Sequence, residues 1–116
     1  MAVEPLTPAV FALLLALSEE QRHGYALISD VADLTGGRIQ LGPGTLYRSL
    51  QRMRVEGLIE ELPDNTDADV TDRRAERRRS YRITEAGREA ARAEARRLAV
   101  ILDAARQRGL FDPALD

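Results

Sequence analysis

The segment at residues 41–62, LGPGTLYRSLQRMRVEGLIEEL, decides how the rest of the chain is interpreted. Gly42 and Pro43 break the preceding chain, and proline suits the first position of a helix. The pattern therefore predicts a helix that starts at about Pro43 and ends before Gly57. At 100 degrees per residue, three apolar side chains share one face of this helix and predict its buried side. They are Leu46, Leu50 and Met53.

The opposite face of this predicted helix carries side chains that form hydrogen bonds. Its members are Thr45, Arg48, Gln51, Arg52 and Val55, with Tyr47 and Arg54 on one flank. Any amphipathic surface helix has a polar outer face, so the pattern alone is weak. Arginine, however, pairs with guanine edges and with phosphates, and glutamine pairs with adenine. The composition of this face is therefore also suited to reading DNA.

The elements around this helix supply the context. A first helix is predicted from Thr7 or Pro8 to about Glu19, and a second from about His23 to the glycine pair at 36–37. RIQL at 38–41 is predicted as a very short strand, and LIEEL at 58–62 and SYRIT at 80–84 as a pair of strands. Helix, helix, tight turn, helix and hairpin is the order of a winged helix-turn-helix.

A long last helix is predicted from Thr84 to about residue 110. Its small and apolar residues are spaced by four, three, four and three, which is a heptad seam: Ala91, Ala95, Leu98, Leu102 and Ala105. The small domain offers little to cover this seam, so we expect a second copy of the chain to do so, the alternative being that the helix folds back on its own core. The predicted homodimer interface comprises Phe11, Leu14, Leu98, Ile101, Leu102 and Ala105.

The fold class is therefore α+β and mainly helical. Residues 1–83 are predicted to form the winged helix-turn-helix and residues 84–116 the dimerisation helix, together as one compact unit. With 116 residues the chain has the length of one domain.

The charge is unevenly distributed. The net charge is only -2, but RRAERRRSYR at 73–82 holds six arginines and one glutamate. Arg77, Arg78 and Arg79 fall where a hairpin wing leaves the sheet, and a cation cluster there can lie over a DNA backbone or in the minor groove. Four carboxylates stand close by, at Asp64, Asp67, Asp69 and Asp72. Because carboxylates repel phosphate, we hypothesise that they compete with DNA for the arginines.

Several functions are disfavoured by composition. No cysteine is present and His23 is the single histidine, so a metal triad or a histidine-based catalytic set lacks a second strong member. The acid spacing at 64–72 lacks the glycine and closing glutamate of a calcium loop. The longest apolar run, AVFALLLAL at 9–17, is too short to cross a membrane. We expect no enzyme activity, no cofactor, no metal and no membrane contact. The rival is a winged-helix module that binds another protein.

Three segments resemble the PadR family of bacterial transcriptional regulators, in its short form with one C-terminal helix. They are HGYALISDV, LGPGTLYRSLQRMRVEGLIE and RRSYRITEAGREA, which extend over most of residues 23–90. The resemblance implies a cytoplasmic, nucleoid-associated homodimer that binds an inverted-repeat operator in double-stranded DNA, usually as a repressor, and is released by a small-molecule effector or another signal. The existence of an effector is left open. The hairpin between Ile59 and Tyr81 is longer than is usual in the family.

In that family Tyr25 and Tyr47 would match positions near the DNA backbone, and Thr45, Arg48 and Gln51 would match the reading helix. Arg52 on the same face of the helix and the three arginines of the hairpin complete the set of predicted DNA contacts: Tyr25, Thr45, Tyr47, Arg48, Gln51, Arg52, Arg77, Arg78 and Arg79.

Overall fold

The computed structural model describes residues 5–63, 79–112 and 114. In this part of the chain four helices surround a small antiparallel sheet. The elements are α1 (Pro8–Glu19), β1 (Arg22–His23), α2 (Gly24–Leu34), α3 (Pro43–Val55), β2 (Ile59–Leu62), β3 (Ser80–Ile83) and α4 (Glu85–Gln107). The predicted α+β class, mainly helical with a winged helix-turn-helix order, is confirmed.

The helices begin where local chemistry favours it. Thr7 caps α1 by accepting a hydrogen bond from Val10 N at 3.2 Å, and Thr84 caps α4 by accepting one from Gly87 N at 3.0 Å. These bonds satisfy backbone donors that have no partner inside the helix. The helix α3 ends at a turn through Gly57, whose φ of 79° is a left-handed conformation that glycine adopts without strain.

The sheet has the strand order β1-β3-β2, with both pairs antiparallel. Its edge strand β1 has only two residues and was not predicted. Arg22 in β1 forms two hydrogen bonds with Asp30 of α2, at 2.8 and 2.9 Å, which fix the strand against the helix that follows it. These bonds and the charge of Asp30 raise the pKa of the Arg22 guanidinium.

The strand predicted at 38–41 is wrong, since these residues form a loop. Thr35 at the end of α2 takes up the backbone donors that a neighbouring strand would need. Its carbonyl accepts from Arg38 N at 3.1 Å, and its hydroxyl accepts from Ile39 N at 3.0 Å. Ile39 and Leu41 still pack on the core, so their apolar character reflects burial in a loop.

The core lies between α1, α2, α3 and one face of the sheet. The predicted stripe of α3 is confirmed, because Leu46, Leu50 and Met53 are each at most 1% exposed. One predicted interface residue needs correction. Leu14 is fully buried among its own chain's core residues and has no surface to offer a partner, whereas the next residue, Leu15, is 39% exposed.

The helix α4 packs against α1, and its first turn lies close to Leu58 and Ile83. At Gly87 the approach is so close that a Cβ atom would lie 2.1 Å from the carbonyl oxygen of Leu58 and 2.8 Å from Ile83 Cγ1. Further along α4, the carboxylate of Glu94 is buried and accepts hydrogen bonds from Leu6 N at 3.2 Å and from Arg97. The glutamate therefore fixes the segment that precedes α1.

Candidate nucleic-acid interface

The outer face of α3 is an exposed polar surface on a firmly anchored helix. Thr45, Arg48, Gln51 and Arg52 are all exposed, while the opposite side of the same helix is buried in the core. Burial of large apolar side chains stabilises the position of the helix by about 1.5 to 3 kcal/mol for each side chain. The backbone that carries the polar face is thus held rigidly, as a reading surface requires.

The two arginines of this face differ in their surroundings. Arg52 forms an ion pair with Glu56, one helical turn further on, at 2.9 Å, and its side chain is 81% exposed. Such an exposed pair contributes only about 0.3 to 0.5 kcal/mol, so a phosphate or a base can replace the carboxylate. Arg48 donates a long hydrogen bond to the hydroxyl of Thr45, at 3.5 Å. Its guanidinium group is the better placed of the two for a direct contact with a base.

Gly24 lies where three elements, α2, α3 and β3, come together. Its amide donates a hydrogen bond to the carbonyl of Arg79 at 2.9 Å. A Cβ atom at this position would lie 3.0 Å from Tyr47 Cε1 and 3.3 Å from Tyr81 Cε2. The absence of a side chain at Gly24 therefore lets α2, α3 and β3 meet at one point.

Tyr25 and Tyr47, two residues predicted to contact the DNA backbone, lie next to this meeting point. Tyr25 is 55% exposed in the first turn of α2, and its ring stacks on that of His23 with 5.6 Å between centroids and 11° between planes. Tyr47 is half-buried against the core. Tyr25 thus presents a phenol to solvent, whereas Tyr47 presents only part of its ring.

A carboxylate connects α3 to the hairpin. Glu61 on β2 forms ion pairs with Arg54 Nη1 of α3 at 3.2 Å and with Arg79 Nε, just before β3, at 3.1 Å. Next to it is an open cavity of about 120 Å³, lined by Tyr47, Gln51, Arg54, Arg79 and Tyr81. Of the residues that build this site, Arg54 is predicted only on the flank of the helix, and the sequence pattern does not indicate a role for Glu61.

Tyr81 forms the floor of this region and is 4% exposed. Burial raises the pKa of its phenol to about 12, and the nearby charge of Glu61 adds to the shift. Both causes disfavour a phenolate in this environment. Tyr81 is therefore a neutral packing residue at any physiological pH.

Other predicted contacts lie outside the described residues. Arg77 and Arg78 belong to the segment 64–78, as do the four aspartates at 64, 67, 69 and 72. Arg79 is described, and it already has Glu61 as an ionic partner. Within the described ranges, no three acidic, histidine or cysteine side chains are grouped so that they could hold a metal ion. No helix in those ranges is long and apolar enough to cross a membrane.

Comparison with known proteins gives a consistent result. Residues 13–93 match the sequence model described as the transcriptional regulator PadR-like family. A 37.1 kDa uncharacterised protein of a Streptomyces fradiae transposon is 33% identical over 91 residues, which are 78% of this chain; the chain spans only 23% of that protein's length.

Solved structures of similar fold include PadR regulators from three bacteria. A PadR family transcription regulator from Clostridium difficile superposes with a TM-score of 0.69 at 20% identity, covering 87% of this chain and 97% of the other. A PadR-like regulator from Bacillus cereus gives 0.67 at 20% identity, with coverages of 89% and 92%. A PadR family regulator from Eggerthella lenta gives 0.63 at 26% identity, with coverages of 86% and 82%.

Proposed function

Because the chain belongs to the PadR-like family of transcriptional regulators, we propose that it is a homodimer that binds an inverted-repeat operator in double-stranded DNA and represses transcription there. The observation that carries the proposal is the exposed face of α3, which combines an arginine and a glutamine on a helix whose other side is buried. A helix of this kind fits the major groove, where arginine pairs with guanine and glutamine with adenine.

Each side chain of the interface has a role in this proposal. Arg48 and Gln51 read base edges from α3, and Thr45 at the start of the helix bonds a base or a phosphate. Arg52 exchanges Glu56 for a phosphate. Tyr25 contacts the backbone beside the groove, together with the exposed edge of Tyr47. Arg79, with the Arg77 and Arg78 that precede it in sequence, adds positive charge along the backbone.

The proposed dimer contact is the far half of α4. Leu98, Ile101 and Leu102 are 38%, 54% and 45% exposed on one side of this helix, and Ala105 continues the same side. Together they are a contiguous apolar surface that a monomer rarely leaves uncovered. The Cα radius of gyration is 16.2 Å, against about 13 Å for a compact chain of this length. The excess is consistent with a helix that extends toward a partner.

The α1 helix extends this surface. Phe11 is half-buried and Leu15 exposed on adjacent turns, and both line an open, mainly apolar cavity of about 390 Å³ between α1, the end of α2 and α4. We place Phe11 and Leu15 at the edge of the dimer contact. If a small-molecule effector releases the protein from DNA, this cavity has the apolar lining and the size that a ligand of modest dimensions requires.

The proposal is tested by selecting preferred duplexes from random DNA and measuring dissociation constants for the selected and a scrambled duplex. The DNA upstream of the protein's own gene is a second target, examined by footprinting. Specific binding should weaken with salt by about 0.9 log units per log unit of salt for each phosphate neutralised. Failure to prefer any duplex would contradict the proposal and favour a module that binds another protein.

Arg48→Ala tests the proposed reading role. We expect a loss of roughly 1 to 3 kcal/mol in binding to the selected duplex, with a much smaller loss on scrambled DNA. Arg92→Ala is the matched control, because Arg92 lies on α4 and pairs with Glu85, away from the interface. Equal losses on both duplexes would identify Arg48 as a phosphate contact instead.

A further inference from the structure

Glu61 is not needed for any of the proposed DNA contacts. Its carboxylate lies on β2 between two arginines from different parts of the fold, 3.2 Å from Arg54 on α3 and 3.1 Å from Arg79 just before β3. An acidic group at a DNA-facing surface opposes binding through its charge. Its presence between two cations therefore calls for a compensating role.

The geometry around Glu61 favours a structural link over simple screening. The side chain is only 21% exposed, and directly across the hairpin stands the buried Tyr81. Water is therefore partly excluded, and ion pairs are stronger there than at an open surface. Arg54 and Arg79 are 45% and 37% exposed, so one side of each guanidinium group faces solvent while the other faces Glu61.

The two pairs join parts of the fold that must act together on DNA. The helix α3 carries the reading face, whereas the hairpin of β2 and β3 is the wing. The helix and the strands of the wing also meet in the core, where Met53 of α3 and Ile59 of β2 are both buried, and they are joined by the turn through Gly57. The pairs from Glu61 add a link nearer the surface, from the last turn of α3 across to Arg79 just before β3.

We propose that Glu61 is a positioning residue that fixes the angle between α3 and the wing, so that base contacts and backbone contacts form at the same time. The inference rests on the proposed function, since it assigns a specificity role within the same DNA interface. Glu61 itself touches no DNA. It holds Arg54 and Arg79 in the orientation in which their outer sides meet the phosphates, and its removal releases both side chains and the wing.

Two consequences distinguish positioning from mere repulsion. A carboxylate that only repels phosphate weakens binding to all duplexes equally, so its neutralisation tightens binding to selected and scrambled DNA by the same factor. A positioning carboxylate favours the one arrangement that fits the operator, so its neutralisation lowers the ratio of the two affinities. We expect Glu61→Gln to lower this ratio roughly fivefold, the order of effect of two partly exposed ion pairs.

The matched control is Glu60→Gln. Glu60 is the preceding residue of the same strand, carries the same charge and pairs with Arg82 on β3, so its ion pair lies within the wing and does not reach α3. Its neutralisation should change both affinities by one factor and leave the ratio intact. Glu61→Asp keeps the charge but shortens the side chain by one methylene, so it should lower the ratio with no change in the salt dependence.

The experiment measures both dissociation constants for wild type and the three variants over a range of salt concentrations, with thermal unfolding as a check of the fold. A lower ratio for Glu61→Gln and Glu61→Asp, but not for Glu60→Gln, supports the inference. An unchanged ratio, or an equal fall in Glu60→Gln, overturns it. If Glu61→Gln does not fold, Glu61→Asp decides. A wild-type protein without preference for any duplex overturns the proposed function, and this inference with it.

Discussion

Replacing Gly87 by alanine should damage the fold more than any other glycine-to-alanine change within a helix. The added Cβ would lie 2.1 Å from the carbonyl oxygen of Leu58. Contacts of this kind essentially never fall below 3.0 Å, so α4 or the chain before β2 must move by at least 0.9 Å, the difference between 3.0 and 2.1 Å. Both obstructing atoms are constrained, since one is backbone and the other belongs to the buried Ile83.

The expected magnitude follows from these contacts. Overpacking of a tight site costs about 1 to 3 kcal/mol. The same carbonyl of Leu58 accepts a hydrogen bond from Thr84 N at 3.1 Å, and its loss adds about 1 kcal/mol. The sum of about 2 to 4 kcal/mol corresponds to a fall in melting temperature of roughly 8 to 16 °C for a chain of this size.

Gly44→Ala is the matched control, since Gly44 also lies in a helix. A Cβ atom there meets only the flexible end of Arg48, at 3.5 Å, so the variant should be equal to wild type or up to about 1 kcal/mol more stable. Both variants are compared by urea unfolding followed by circular dichroism, at one protein concentration because the proposed dimerisation would couple to folding. A Gly87→Ala protein as stable as wild type would refute the reasoning.

Three further predictions concern the helix seam and two titrating groups. Leu102→Glu should convert the proposed dimer to a monomer in light-scattering mass measurements. Val100→Glu is the control and should remain dimeric, because Val100 lies on the opposite side of α4 and is 71% exposed. A dimeric Leu102→Glu protein would argue against the seam. The hydrogen bond from Arg97 lowers the pKa of Glu94 below its ordinary value of 4.5, so the stability that the carboxylate confers is present above that pH and is lost as pH falls through the lowered pKa. The unfolding free energies of wild type and Glu94→Gln should therefore converge as pH falls below 4.5, and a constant difference would contradict this linkage. Burial raises the pKa of Tyr81 from 10.0 to about 12, so the stability that the neutral phenol confers is present below pH 10.0 and is lost as pH rises toward 12. The unfolding free energy of Tyr81→Phe should therefore fall less than that of wild type over this pH range. An identical fall in both proteins would contradict the raised pKa of Tyr81.

The helices were predictable because their signals are local. Thr7 and Thr84, where two of the helices are predicted to start, cap those helices, and the stripe of α3 is buried as its spacing indicates. The error at Leu14 has a physical cause, since α1 is apolar nearly all round and such a helix does not reveal which side meets solvent. One of the segments that resemble the PadR family contains Tyr81, Thr84 and Gly87, and each of these residues has a packing role. Tyr81 fills the core, Thr84 caps α4, and Gly87 leaves room for the carbonyl of Leu58.

The features that sequence reasoning missed depend on contacts between distant parts of the chain. The strand β1 has two residues and exists only because β3 lies beside it, so no periodicity could reveal it. The loop at 38–41 has the composition of a strand, but its first two amides donate to Thr35. Likewise, the exposed face of α3 could be predicted from spacing, whereas the role of Glu61 depends on how closely α3 approaches the hairpin.

Thr84 links the start of α4 to the turn that ends α3. Its hydroxyl donates to the carbonyl of Gly57 at 2.6 Å and also caps α4, so these two parts of the chain form a single joint. From this joint α4 extends for 23 residues, or roughly 34 Å. A rotation of about 5° at the joint would displace the far end by roughly 3 Å, the length of one residue along a strand. In the proposed dimer joined through α4, such a rotation would change the distance between the two proposed reading helices, and with it the spacing of half-sites that they can reach.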